Sequence, residues 1–121
     1  MQRVGTINKG GAVCSEAVVA GELIYFSGIT AADRAADIHG QMTQCLNRLN
    51  ELLSELGEDS ASIVMVHVWL KDMRYFSAMN KAWNEWVEQG VAPARTCVSG
   101  ELLTPDTLVE VVATATRAGA A

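Results

Sequence analysis

Apolar residues recur at helical spacing through the middle of the chain: Ile38, Met42, Cys45, Leu46, Leu49, Leu52, Leu53 and Leu56. The spacing predicts one long amphipathic helix, stopped by Gly57 and capped by Asp33 or Asp37. Its leucine face seeks a core, while Gln41, Gln44, Arg48, Glu51 and Glu55 form a solvated face. Cys45 falls on the apolar face, where a thiol behaves as a small hydrophobe. His39 reads as a solvated surface residue. A second stripe of Phe76, Met79, Trp83, Trp86 and Val87 predicts a second helix, begun by Asp72 and ended by Gly90. The tryptophans read as core, because no basic residues interleave them. Asn80 lies on this stripe, where its amide needs partners and would tie down a neighbouring loop.

Around the helices the period shifts to that of strands. Ile63 to Leu70 is the clearest, with Val64, Val66, Val68 and Leu70 on one side and Ile63, Met65, His67 and Trp69 on the other. Both sides are bulky, so both should be covered. His67 reads as a buried, hydrogen-bonded histidine; nothing at metal-ligand spacing accompanies it. Val4 to Asn8 is a strand closed by Lys9-Gly10-Gly11; Ala17 to Ala20 and Leu23 to Ser27 are two more, joined by a Gly21-Glu22 turn. Ser27-Gly28 is a strand end, or a backbone N–H that a ligand can approach because no Cβ intervenes. Ala31 to Asp37 is a loop of small residues. Ala92 to Thr116 reads as a β-hairpin with a long connection through Ser99-Gly100 and Thr104-Pro105-Asp106. Each of its runs holds one charge, Arg95 and Glu110, which the hairpin would set face to face. Such a pair is either a structural ion pair or a site.

This order predicts one α+β domain over residues 1–121, with a mixed sheet and two helices on one of its faces. The other face, read from Ile63, Met65 and Trp69, is also apolar, so another chain should cover it. Symmetric closure into a ring is the expected form.

Net charge is −5, from nine basic and fourteen acidic residues, with no basic stripe. That argues against nucleic acid as a partner. No apolar run approaches the ~20 residues of a membrane span, and the start lacks a signal-peptide core. The expected compartment is the cytoplasm. Three cysteines, Cys14, Cys45 and Cys97, fit reduced thiols better than a disulfide framework.

The motif PARTCV, with the Glu of LVEVVATA fifteen residues after its Arg, resembles the C-terminal signature of the RidA/YjgF family. LIYFSGIT resembles that family's early strand ending in Ser-Gly, and VMVHVWLKDMRYFSAMNKAWNEWV its middle strand, Lys-Asp turn and helix with an internal Asn. The resemblance spans nearly the whole chain. It implies a chorismate-mutase-like fold and a homotrimer with sites between subunits. It also implies cofactor-independent hydrolysis of enamines and imines, such as 2-aminoacrylate and its imine tautomer, to 2-oxo acids and ammonia.

The residues suit that chemistry. Arg95 offers a planar fork for the substrate carboxylate. Glu110, in a core strand, is the candidate to orient or deprotonate a water. Gly28, Ser27, Asn80 and Cys97 would line the pocket, Cys97 through its backbone, since no histidine is placed to activate its thiol. One position departs from the family: an aromatic residue stands fourteen positions ahead of the Ser-Gly glycine in the archetype, and this chain has Cys14. The pocket should therefore be wider. A non-catalytic trimer that binds small carboxylates is the alternative. Ribonuclease activity, an older label in the family, is disfavoured by the charge and by the lack of a histidine pair.

Overall fold

The computed structural model describes residues 1–88 and 91–117. The expected helix stop at Gly90 lies outside the described residues. The chain runs β1 (Gln2–Lys9), β2 (Ala12–Ala20), β3 (Leu23–Phe26), β4 (Ile29–Thr30), α1 (Ile38–Glu55), β5 (Ile63–Leu70), α2 (Phe76–Trp86), β6 (Ala94–Ser99) and β7 (Val109–Thr116). The strands form one mixed sheet in the order β1-β2-β3-β7-β5-β6, with β4 also on β7. Only β5 and β6 pair in parallel. The result is an α+β fold with two helices against one face of the sheet.

The expected hairpin of the last two strands does not form. β5 lies between β6 and β7 and pairs with both. The reason is visible at the end of β5: Gly100 N–H donates to the carbonyl of Leu70, and Lys71 N–H to that of Leu108, both at 3.0 Å. The connection between β6 and β7 thus straddles the end of β5. A β5 this rich in apolar residues gains more by pairing on both sides than at an edge.

The core face is made by Ile24, Phe26, Val66, Val68, Val109, Val111 and Ala113, all buried. Against it pack Met42, Cys45, Leu46, Leu49 and Leu53 of α1 and Met79 and Trp83 of α2. A register shift between Ile63 and Met65 corrects the simple alternation expected for β5. Ile63 joins the core and Val64 is exposed, so the far face keeps Met65 and Trp69 but loses Ile63. Trp69, Tyr25 and Val98 are 43, 48 and 45% exposed. His67 is exposed, not buried, and bonds Thr96 on the neighbouring strand at 2.7 Å.

Asp37 caps α1 by accepting from Gly40 N–H. The helix ends at Gly57, φ +76°, with Glu58 N–H donating back to the Leu53 carbonyl, an arrangement a residue with a Cβ disfavours. Asp72 caps a short 3₁₀ turn, Met73–Tyr75, that leads into α2. The solvated face expected of α1 needs one correction. Gln41 is fully buried; its amide nitrogen donates to the carbonyls of Arg34, Ala36 and Asp106, and its oxygen accepts from Leu108 N–H. It pins two loops to the helix. His39 also has a partner, Glu85 of α2, at 3.0 Å.

Candidate functional site

Arg95 pairs with Val66 across the parallel β5–β6 ladder, so its side chain leaves the sheet on the helix side. There the guanidinium lies 5.0 Å from the Trp83 ring centre and 5.7 Å from that of Phe76, with Met79 Sδ 3.6 Å from Nη1. No carboxylate pairs with it among the described residues. An aromatic frame of this kind orients the plane of the cation and leaves its N–H fork free. Cys97 projects from the same face, half-buried; burial pushes its thiol up, and Arg95 pulls it partly back. Asn80 follows Met79 on α2, and its Oδ1 is buried without a hydrogen-bond partner. Among the described residues the loop tie expected of it is not made through Oδ1.

Glu110 stands elsewhere. Its neighbours Val109 and Val111 point into the core, so Glu110 points to the far face, level with Trp69 on one side and Thr30 on the other. Arg95 and Glu110 are therefore on opposite faces of the sheet, separated by β5, and do not face each other as a hairpin would require. What Glu110 meets is Gly28. A Cβ on residue 28 would lie 2.7 Å from Glu110 Cδ and 2.8 Å from Oε2. The glycine thus accommodates a close approach, and the approaching group is the carboxylate of Glu110.

Ser27 fixes this corner. Its Oγ donates to the Ser15 carbonyl at 2.6 Å and its N–H to that of Glu16 at 3.0 Å. Cys14 is half-buried on β2, opposite Ile7. Beneath the corner, the Cys45 thiol donates to the Ile29 carbonyl; burial pushes its pKa up to about 12, and the charge of Glu110 adds to that. A cleft of about 170 Å³ opens beside Gly28, lined also by Ser27, Ile29, Thr30, Lys9, Glu16 and Arg48.

The last three residues were not apparent as site candidates from the sequence. Arg48 sits on the polar face of α1, yet it reaches back to Glu16 on β2 at 3.1 Å. A faint signal exists in Gly5: its φ is +64°, and a Cβ there would touch the Glu16 carboxyl at 3.0 Å. An isolated glycine inside a strand marks such a crowding. Among the described residues no group of three or more His, Cys, Asp or Glu could hold a metal ion, and no helix is long and apolar enough to cross a membrane.

One chain thus presents two separate groups, an aromatic-framed arginine on one face and a glycine-backed carboxylate on the other. Comparison with known proteins gives this arrangement a context. The family model described as Endoribonuclease L-PSP matches residues 11–117. A RutC family protein of Haemophilus ducreyi is 34% identical over 101 residues, 84% of this chain and 86% of that one. The RutC family protein YoaB of Escherichia coli is 33% identical over 97 residues, 80% of this chain and 84% of its own. Among solved structures, a YjgF family member from Neisseria meningitidis superposes with a TM-score of 0.88 at 33% identity, covering 96% of this chain and 93% of that one. With the fold, the motifs and these relatives in agreement, the chain belongs to the RidA/YjgF family.

Proposed function

We propose that the protein hydrolyses 2-imino acids, and their enamine tautomers, to 2-oxo acids and ammonia, without a metal or organic cofactor. The observation that carries this reading is the separation of Arg95 from Glu110. A carboxylate-binding fork with no carboxylate partner and a carboxylate set against Gly28 are the two halves that such a substrate needs, and one chain cannot join them. A second copy can. The apolar far face around Trp69 and Tyr25 supports such an assembly, and family membership favours a trimer with three clefts.

In the joined cleft Arg95 of one subunit holds the substrate carboxylate in two bonds. Glu110 of the next subunit takes a proton from a water, whose oxygen adds to the C=N carbon as the nitrogen is protonated. Glu110 passes that proton to the nitrogen, then takes the hydroxyl proton of the resulting carbinolamine and delivers it to the amine, which leaves as ammonia while the C=O forms. Gly28 and Ser27 supply the wall beside Glu110, and Cys97 and Asn80 line the Arg95 half. Cys14 in place of an aromatic residue widens the entrance.

The test is ammonia release from imines generated by an amino-acid oxidase. Acceleration over buffer that disappears in Arg95→Ala is expected. Saturable binding of 2-oxo acids with no acceleration for any imine would instead assign the protein as a carboxylate-binding trimer.

A further inference from the structure

The cleft beside Gly28 is lined by more charge than imine hydrolysis uses. At about 170 Å³ it exceeds a cavity that admits benzene, about 150 Å³, so it can hold an amino-acid side chain. Its charges are not equivalent. Arg48 donates to both oxygens of Glu16, at 3.3 and 3.1 Å, and to Glu51 at 2.9 Å. Glu16 thus has Arg48 as its partner in the wall, an arginine that also pairs with Glu51 and, at 4.0 Å, Glu55 on its own helix. Lys9 is different: it is half-buried, yet makes no ion pair or side-chain hydrogen bond among the described residues. A cation that has lost part of its hydration and gained no partner is the group in the cleft with most to gain from an anion. Lys9 is also well held, as the last residue of β1, in register with Ala12 across the Gly10-Gly11 turn.

We infer that Lys9 sets specificity. With the reacting carbon beside Gly28, which lines this cleft and abuts Glu110, the substrate side chain enters the cleft and its terminal carboxylate meets the Lys9 ammonium. The preferred substrates are then imines of dicarboxylic amino acids. An alkyl side chain would bury the ammonium further without a partner, and a basic one would be repelled. The inference rests on the imine-hydrolase reading for its chemistry, but the anion site can be tested separately.

Two measurements do so. In the first, kcat/KM is compared for the imines that oxidases release from glutamate and from norvaline, whose side chains are similar in length. The wild type should favour the acidic imine roughly ten- to hundredfold, the weight of a charge-assisted hydrogen bond. Lys9→Met should abolish that ratio and Lys9→Arg should keep it. In the second, calorimetry compares 2-oxoglutarate with 2-oxopentanoate, and the same pattern across the variants is expected in Kd. Equal use of the two imines, or a ratio unmoved by Lys9→Met, overturns the inference even if both imines are hydrolysed. If neither imine is hydrolysed, the enzymatic reading fails and calorimetry alone decides: tighter 2-oxoglutarate binding lost in Lys9→Met upholds the anion site, and any other result removes it.

Discussion

The carboxylate of Glu110 occupies the space in which a side chain at Gly28 would begin, 2.7 Å from where its Cβ would stand. The two residues are far apart in the chain and meet because β4, directly after Gly28, pairs with β7 around Val111 and Glu110. Gly28→Ala should therefore displace Glu110 rather than unfold the protein, because the clashing group is the end of a side chain. A displacement near 1 Å costs on the order of a hundredfold in rate for a positioned catalytic group. We expect kcat for imine hydrolysis to fall by about that factor, with Tm changed little. Calorimetric unfolding beside steady-state kinetics checks both halves of the statement.

Because Arg95 and Glu110 leave the sheet on opposite faces, the proposed cleft draws them from different subunits. Arg95→Ala and Glu110→Gln should each be inactive. Oligomers refolded from a mixture of the two should regain part of the wild-type ammonia release, since some clefts receive both intact residues. Mixed oligomers, shown by mass spectrometry, that recover nothing would place the reaction elsewhere. Gly28 lies against Glu110 in the same chain, so Gly28→Trp and Glu110→Gln should fail to complement each other.

Gln41 holds the loops on either side of it from inside the core. Gln41→Leu removes both amide groups and leaves Leu108 N–H and the carbonyls it served without a partner. The expected loss is at least about 3 kcal/mol, since each buried polar group stripped of its partner costs about 1–3 kcal/mol. Urea unfolding would show it as a lower midpoint at unchanged slope.

The bond between His39 and Glu85 joins α1 to α2, and it holds the Glu85 carboxyl below its ordinary value of 4.5. A depressed carboxylate adds stability that is present above that value and is lost as pH falls through the lower, folded-state value. The Tm advantage of the wild type over Glu85→Gln should accordingly be present at pH 6, shrink as the pH drops below about 4.5, and be reduced by salt because the pair is exposed. An advantage that grows toward low pH would show that the pair acts by another route.

Much of this was legible in the chain. The leucine period of α1, its stop at Gly57, the stripe of α2 and the alternating runs of β1, β3 and β5 each reflect a face that must meet a core, and periodicity reports that directly. The family was legible for the same reason: Arg95, Glu110, Ser27 and Gly28 sit in contiguous motifs. Gln41 was misread because polarity cannot distinguish a side chain that meets water from one that meets four backbone groups. The far-face position of Ile63 was misread because a bulge at Val64 breaks alternation without altering composition.

By itself the sequence determined both helices, the cores of most strands, most of their apolar faces and which chemical groups are available, because these depend on neighbours within a few positions; the start of β2 at Ala12 and the short β4 lay beyond it. The tertiary structure alone decided that β5 enters between β6 and β7. Strand order is set by contacts between distant segments competing for the same backbone hydrogen bonds, and no local pattern encodes the winner. That one insertion sends Arg95 and Glu110 to opposite faces and so separates what the local pattern read as an ion pair.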